Sequence, residues 1–379
     1  MIANNKVTLH HWRRLASCLI IVAIGALVSV HGFGQEAATG GTTTIERKSV
    51  LEQADQDARP YHTREGRLQA KPLDWNSTIG KRVTPRDKAP AKRGEPETTK
   101  GGTPNPDAKA EGQKLYPEEW RNLRKPGEPM SFRNGRSRPR LVLTAGSPDV
   151  FTQYCEGCLV PNTDYPEVAV GKLFLNGGFC TASVVSGNNV IVTAAHCCYD
   201  RSNKKWIGGW VFAPSYDNGN VPFGTFDWSS ATILNSWINN GDIPSDVCLI
   251  KLANDKAGRG VTFYTGWLGR SWNFGSDQDH HALGYPGNLG GGNVLELCTS
   301  ESFSPNIFCG GGNILNTGCS MTFGSSGGPW IRHYRSDNWV NAVVHGYDSQ
   351  ACTGTFGQTF NGPRFTSGNI VTLCTAAGC

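Results

Sequence analysis

Acidic residues are missing from the first 34 positions, cysteine is missing between Cys18 and Cys155, and apolar residues almost vanish between Lys81 and Asp107. Helical periodicity is nearly absent, and no repeat of solenoid type occurs. These gaps exclude a helical bundle, a repeat array and an apolar core within Lys81–Asp107. The apolar run Leu15–Val30 has 16 residues, short of the roughly 20 that a spanning helix needs. It follows Arg13 and Arg14 and precedes Gly32 and Gly34, where a peptidase could cut. Residues 1–34 therefore read as a secretory signal peptide, with an uncleaved anchor as the alternative. Secretion, extracellular or periplasmic, is expected, without stable membrane association.

Charge is uneven along the chain. Residues 35–140 hold 22 Lys and Arg against 15 Asp and Glu, whereas residues 141–379 hold 11 against 16. The overall +5 thus lies in the part least suited to folding, which argues against a nucleic-acid partner. Residues 35–140 are basic and rich in Pro and Gly, and read as a largely disordered pro-segment or linker. Only Leu115–Leu123 suggests a short helix, and Arg136, Arg138 and Arg140 offer cleavage points. Opposite net charges would help this leader associate with the remainder.

Of 13 cysteines, 12 lie from Cys155 onward. An even number confined to one segment of an exported chain points to disulfides. Cys155-Glu156-Gly157-Cys158 would suggest metal or redox chemistry in a cytosolic protein, and reads here as structural bridging. His280 and His281 are adjacent, so they point to opposite faces of a strand. No acid stands at ligand spacing from them; no metal and no cofactor is expected.

From Leu141 the texture changes to short apolar runs separated by Gly, Asn and Ser. Val168–Leu175, Thr181–Val185, Val190–Thr193, Val247–Leu252, Val294–Leu297 and Val340–Val344 are strand-like. Many short strands at roughly 8–12-residue spacing predict an all-β sandwich or barrel.

Three segments carry the chemistry. His196 follows Thr193-Ala194-Ala195 at the end of an apolar strand, where small residues permit a tight turn. Asp246 opens the apolar run Val247–Leu252, and a carboxylate at the mouth of a buried strand needs a partner. The imidazole of His196 would supply that partner, and Asp246 is preferred as the acid over its competitor, the turn residue Asp242. Ser326 lies in Gly324-Ser325-Ser326-Gly327-Gly328-Pro329, whose glycines allow a sharp turn and close approach to substrate. The N–H groups of Gly324 and Ser326 would serve as an oxyanion hole. Gly324-x-Ser326-x-Gly328 also fits a nucleophile elbow, but that class runs Ser, acid, His. Here His and Asp both precede Ser.

Together these residues resemble the chymotrypsin-like (trypsin-like) serine protease family. The resemblance covers about Val168 to the C-terminus. It implies two perpendicular antiparallel β-barrels, the first over about 165–262 and the second over about 263–379, within a protease domain of residues 141–379. His196 and Asp246 would come from the first barrel and Ser326 from the second. It also implies a Cys180–Cys197 bridge; proximity to the expected site suggests Cys298–Cys309 and Cys319–Cys352. Ser325 departs from the family, which usually has Asp there to pair with the new N-terminal amine, so activation by that ion pair is not available. Gly284-Tyr285-Pro286-Gly287 and Val343-Val344-His345-Gly346 resemble the bacterial and fungal branch that includes glutamyl endopeptidases. His345 would then meet a substrate Glu, with Thr322 nearby, although Met321 stands where that branch often has Thr. Ser320 matches the pocket floor and brings no charge, which argues against Lys or Arg selectivity.

The expectation is a secreted, monomeric serine endopeptidase made as a zymogen. Its catalytic residues would be His196, Asp246 and Ser326, and its substrate-binding residues Ser320, Thr322 and His345. Its partners would be protein or peptide substrates and its own pro-segment, with Glu as a candidate preference. The alternatives are a non-catalytic protease homologue that binds peptides or proteins, and a carbohydrate-binding β-domain suggested by Trp206, Trp210 and Trp228.

Overall fold

Strand Val190–Thr193 is wholly β-branched and wholly buried, the composition that suits a pleated surface packed on both sides. It belongs to a closed six-stranded antiparallel barrel in a computed structural model that describes residues 41–47, 59–74, 94–125, 151–159, 162–304, 313–348 and 359–379. Around that barrel, Phe226–Leu234 pairs with Cys248–Leu252, then come Val190–Thr193, Gly178–Ser186, Val170–Leu175 and Val211–Pro214, which returns to Phe226–Leu234. Short turns link the strands. Asn176 and Gly177 join Val170–Leu175 to Gly178–Ser186, with Gly177 at φ 93°, a conformation that glycine adopts without steric cost.

A second antiparallel set runs Thr359–Pro363, Ile314–Thr317, Glu296–Phe303, Gln278–Gly284, Pro329–Arg332 and Trp339–Val343. Its ends meet through an Ala342–Arg364 bridge and two backbone bonds of 2.8 Å, Phe365 N–H to Asn341 O and His345 N–H to Asn361 O. The all-β class expected from the strand spacing is what the chain adopts. Helices are few and short, the barrel-flanking ones being Asn235–Asn240, Val261–Thr265 and the C-terminal Thr372–Ala377. Trp210, Trp228, Trp237 and Trp330 are fully buried. Trp210 and Trp228 therefore serve as core anchors, not as the exposed platforms that a sugar would stack on.

Pieces of the leader lie on these barrels. Thr42–Glu46 adds an antiparallel strand to Phe226–Leu234, and Glu97–Thr99 adds one to Gly269–Trp272. Helix Arg64–Gln69 starts at Thr63, whose hydroxyl accepts the Gly66 N–H at 3.1 Å, a standard N-cap. Its Arg67 is 2% exposed, donates to Gly219 O at 2.8 and 3.0 Å, and pairs with Glu119 at 3.0 Å. The helical hint at Leu115–Leu123 corresponds to helices Ala108–Leu115 and Pro117–Arg121. Single apolar groups add to these contacts, Tyr61 stacking on Phe174 at 5.0 Å and Trp120 meeting Phe223 edge-on at 5.5 Å, and Arg124 pairs with Asp217 at 2.7 Å. Residues 1–34, expected as a signal peptide, and the expected cleavage points Arg136, Arg138 and Arg140 lie outside the described residues.

Disulfides join Cys155–Cys158, Cys180–Cys197, Cys198–Cys248, Cys298–Cys319 and Cys374–Cys379. The bridge implied by the family resemblance, Cys180–Cys197, is present. The other two suggested pairings are corrected, because Cys298 and Cys319 are bonded to each other. Strand Glu296–Phe303 brings Cys298 beside the loop carrying Cys319, and Gln153 touches both Cys298 and Ser320. Cys309 and Cys352 lie outside the described residues.

Burial raises the Glu296 carboxyl from its ordinary 4.5 to about 7, against a lowering by Gln153 and Arg124. The folded state thus holds a proton that the unfolded chain releases above pH 4.5, so this group's stabilisation is full below 4.5 and is lost as pH rises through 7. Glu296→Gln should melt several degrees above the parent at pH 8 and equal it at pH 4, since one kcal/mol moves such a domain by about 2–4 °C. Calorimetry at the two pH values checks this, and an equal difference at both would refute the buried-acid account.

Candidate active site

The register of two neighbouring strands brings the first pair of groups together. Thr193 faces Cys248 across the Val190–Thr193 and Cys248–Leu252 ladder. His196 sits three residues past Thr193 on the turn Ala195–Cys197, and Asp246 two residues before Cys248 at the end of the turn Ile243–Ser245. The Cys198–Cys248 disulfide ties the end of the histidine turn to the strand Cys248–Leu252. Trp210 Nε1–H donates to Cys197 O at 2.9 Å and fixes the histidine turn from below.

The contacts between these residues are tight and dry. Asp246 Oδ2 accepts from His196 Nδ1 at 2.7 Å, and Oδ1 accepts from the His196 backbone N–H at 2.8 Å. Oδ2 also accepts from His345 Nδ1 at 2.5 Å. A carboxylate only accepts, so both rings carry their proton on Nδ1. His196 and Asp246 are fully buried and His345 is 2% exposed. Burial alone would raise the Asp246 pKa; the two imidazoles and their hydrogen bonds outweigh it and hold the carboxyl well below the usual carboxylate range. Asp242, the competing acid, instead accepts from the Ser245 hydroxyl at 2.7 Å, and burial pushes its pKa up.

The serine loop comes from the second barrel and is held by one residue of the first. Thr181 N–H donates to Ser326 O at 2.8 Å, and the Thr181 hydroxyl donates to Gly324 O at 2.9 Å and accepts the Tyr285 N–H at 3.0 Å. Thr181 adjoins Cys180, whose disulfide to Cys197 reaches the histidine turn. Gly327, at φ 80°, leaves no room for a side chain: a Cβ would lie 2.0 Å from Thr193 Oγ1. Ser325 donates its hydroxyl to Thr322 O at 2.7 Å, a short-range tie in place of an acid. The N–H groups of Gly324 and Ser326 have no acceptor among the described residues.

His196 Nε2 and Ser326 Oγ are both buried, and neither has a hydrogen-bond partner among the described residues. The carboxylate–imidazole arm of a proton relay is therefore formed, and the imidazole–hydroxyl arm is not. Ser320 and Thr322 are joined by Asn288, which donates to Ser320 O at 2.8 Å and accepts the Thr322 hydroxyl at 2.8 Å. Gln153 Oε1 accepts the Ser320 N–H at 3.2 Å and also its hydroxyl. His345 bonds to Asp246. Cys180 and Cys197 lie beside His196, but their sulfurs are oxidised together and offer no thiolate. His196, Asp246 and His345 have ligand atoms within 4.8 Å of one another, and both rings spend their Nδ1–H on the carboxylate.

Sequence reasoning missed Thr181, Asn288 and Gln153. Thr181 carried one faint signal, its place after a cysteine on an apolar strand; the other two carried none.

The family model for trypsin matches residues 163–357. No curated protein matches the chain. Solved structures similar to it include a thermostable serine protease, AL20, from an extremophilic microorganism, at 27% identity and TM-score 0.49, covering 56% of this chain and 97% of that one. The protease Anisep from Arthrobacter nicotinovorans is 24% identical at TM-score 0.48, covering 56% and 96%. A Glu endopeptidase is 16% identical at TM-score 0.48, covering 60% and 97%.

Thr181→Val keeps the shape of the side chain and removes both hydroxyl bonds. It should cost about 1–3 kcal/mol, because the Tyr285 N–H and Gly324 O are left unpaired. Denaturant unfolding measures this, and an unchanged midpoint would show that the clamp is idle.

Proposed function

Because this chain belongs to the trypsin family and is a serine endopeptidase, we propose that His196, Asp246 and Ser326 form its catalytic triad. The observation that carries the assignment is the fully buried Asp246–His196 pair, with Asp246 held as an anion. In the reaction, Ser326 Oγ attacks the peptide carbonyl carbon as His196 Nε2 takes the hydroxyl proton. Asp246 keeps the imidazole in the Nδ1–H tautomer and stabilises the imidazolium. The N–H groups of Gly324 and Ser326 receive the oxyanion. His196 then protonates the leaving amine, and water hydrolyses the acyl-enzyme by the same steps in reverse order of roles.

In this reading the described form is latent, since the reacting nitrogen and oxygen are buried and unpartnered. Residues 35–140 act as the pro-segment and 141–379 as the protease, with cleavage near Arg136, Arg138 or Arg140. One leader stretch lies beside the reactive residues: Leu73 N–H donates to Phe179 O at 3.0 Å, and Phe179 N–H donates to Lys71 O at 2.9 Å. Phe179 precedes Cys180 and packs against Gly324, whose added Cβ would meet its ring at 2.5 Å. Pro72 presses on Gly287 in the same way, at 2.6 Å. Removing the leader would uncover this edge and let the serine turn towards His196. The cysteine pairing suits export to an oxidising compartment under a signal at residues 1–34, and among the described residues no helix is long and apolar enough to cross a membrane.

For specificity, the uncharged Ser320 argues against Lys and Arg at the cleaved position, and Glu is the side chain we propose. A peptide-library profile should show cleavage after Glu with Lys and Arg disfavoured; indifference to Glu would remove that preference while leaving the triad intact. Ser326→Ala should lower casein hydrolysis by several decades, up to about 10⁶ as in another triad protease. Cleavage by purified Ser326→Ala at the parent rate would refute the assignment.

A further inference from the structure

Asp246 has more donors than a histidine–aspartate pair requires. Besides the two from His196, His345 Nδ1–H reaches Oδ2 at 2.5 Å. The rings of His196 and His345 meet edge-on with centroids 5.7 Å apart, and Trp237 packs against both, at 6.5 and 6.4 Å. The main chain around His345 is pinned as well. Its own N–H donates to Asn361 O at 2.8 Å. The preceding Val344 exchanges two backbone bonds of 2.9 Å with the serine loop, accepting from Gly327 N–H and donating to Gly328 O.

A circuit follows from these contacts. The serine loop is bonded to Val344, His345 is bonded to Asp246, and Asp246 is bonded to His196. Resting on the triad reading above, we propose that His345 is a positioning residue that ties the nucleophile loop of the second barrel to the orienting carboxylate of the first. Its imidazole fills the remaining lone pair of Oδ2, so the carboxylate cannot rotate away from His196. The two barrels thereby share one fixed reference for nucleophile and base. This role differs from contact with the substrate's side chain, and the two make different predictions.

The test compares His345→Leu with His345→Asn in protein expressed as the full chain, with active sites counted by fluorophosphonate titration. Asparagine can place its amide nitrogen where Nδ1 stands, whereas leucine leaves Oδ2 one donor short. His345→Leu should lower kcat by about 10- to 100-fold, the range of a lost charge-assisted bond, with KM within about threefold. His345→Asn should recover most of the loss. In full-chain Ser326→Ala, proton NMR should show two downfield imidazole N–H resonances, and adding His345→Asn should remove one.

Unchanged kcat in His345→Leu, with effects confined to KM or to the preferred residue, would overturn the proposal in favour of a pocket role. Equal impairment of both variants would overturn it too, as would a single downfield resonance. If His345→Leu does not fold, the asparagine variant and the NMR count still decide. Residual activity in Ser326→Ala would sink the triad reading itself, and the NMR count stands apart from that result.

Discussion

One buried carboxylate organises this molecule. Asp246 is an anion with no solvent contact, a state that is costly unless the charge is fully bonded. Three N–H donors, two from His196 and one from His345, supply that bonding. The demand explains features that otherwise look unrelated. The Thr193–Cys248 register sets His196 beside Asp246, the Cys198–Cys248 disulfide holds the histidine turn to the Asp246 strand, and Trp237 packs against both rings. Each protects a geometry in which a small displacement would leave a charge unpaired.

The second barrel joins this arrangement through few contacts. Thr181 grips the serine loop from the first barrel by its backbone and its hydroxyl, and Val344 grips it from the other side. Ser325 adds a bond within the loop. With no acid at that position, Ser325 offers no partner for a new ion pair. The leader is anchored on both sheets, by Arg67 on Gly219 and the strand Thr42–Glu46 on the first barrel and by Glu97–Thr99 on Gly269–Trp272.

Much of this was legible before any coordinates. The strand spacing showed the all-β class, and the positions of His196, Asp246 and Ser326 at strand ends and in a glycine turn marked the residues proposed here as the reacting groups, because catalytic chemistry restricts residue type and local backbone together. Leader docking was not legible, since its contacts are backbone edges, the guanidiniums of Arg67 and Arg124, and scattered apolar groups such as Tyr61, Leu73 and Trp120 that stand too far apart in sequence to form a periodic pattern. The pairing of Cys298 with Cys319 depended on how one strand passes one loop, which spacing does not encode. His345 was recognised as noteworthy, but its partner was not, because the distance from Asp246 to His345 in sequence says nothing about which face of the last strands meets the first barrel.

The central claim is that a carboxylate-held imidazole makes one hydroxyl reactive. Its most direct measurement is the rate and location of fluorophosphonate labelling in the leader-free protein, with the adduct mapped by mass spectrometry. The account predicts a single adduct on Ser326 in the parent, and labelling slowed by orders of magnitude in Asp246→Ala. An adduct on another residue, or labelling of Ser326 at the parent rate once Asp246 is gone, would contradict it.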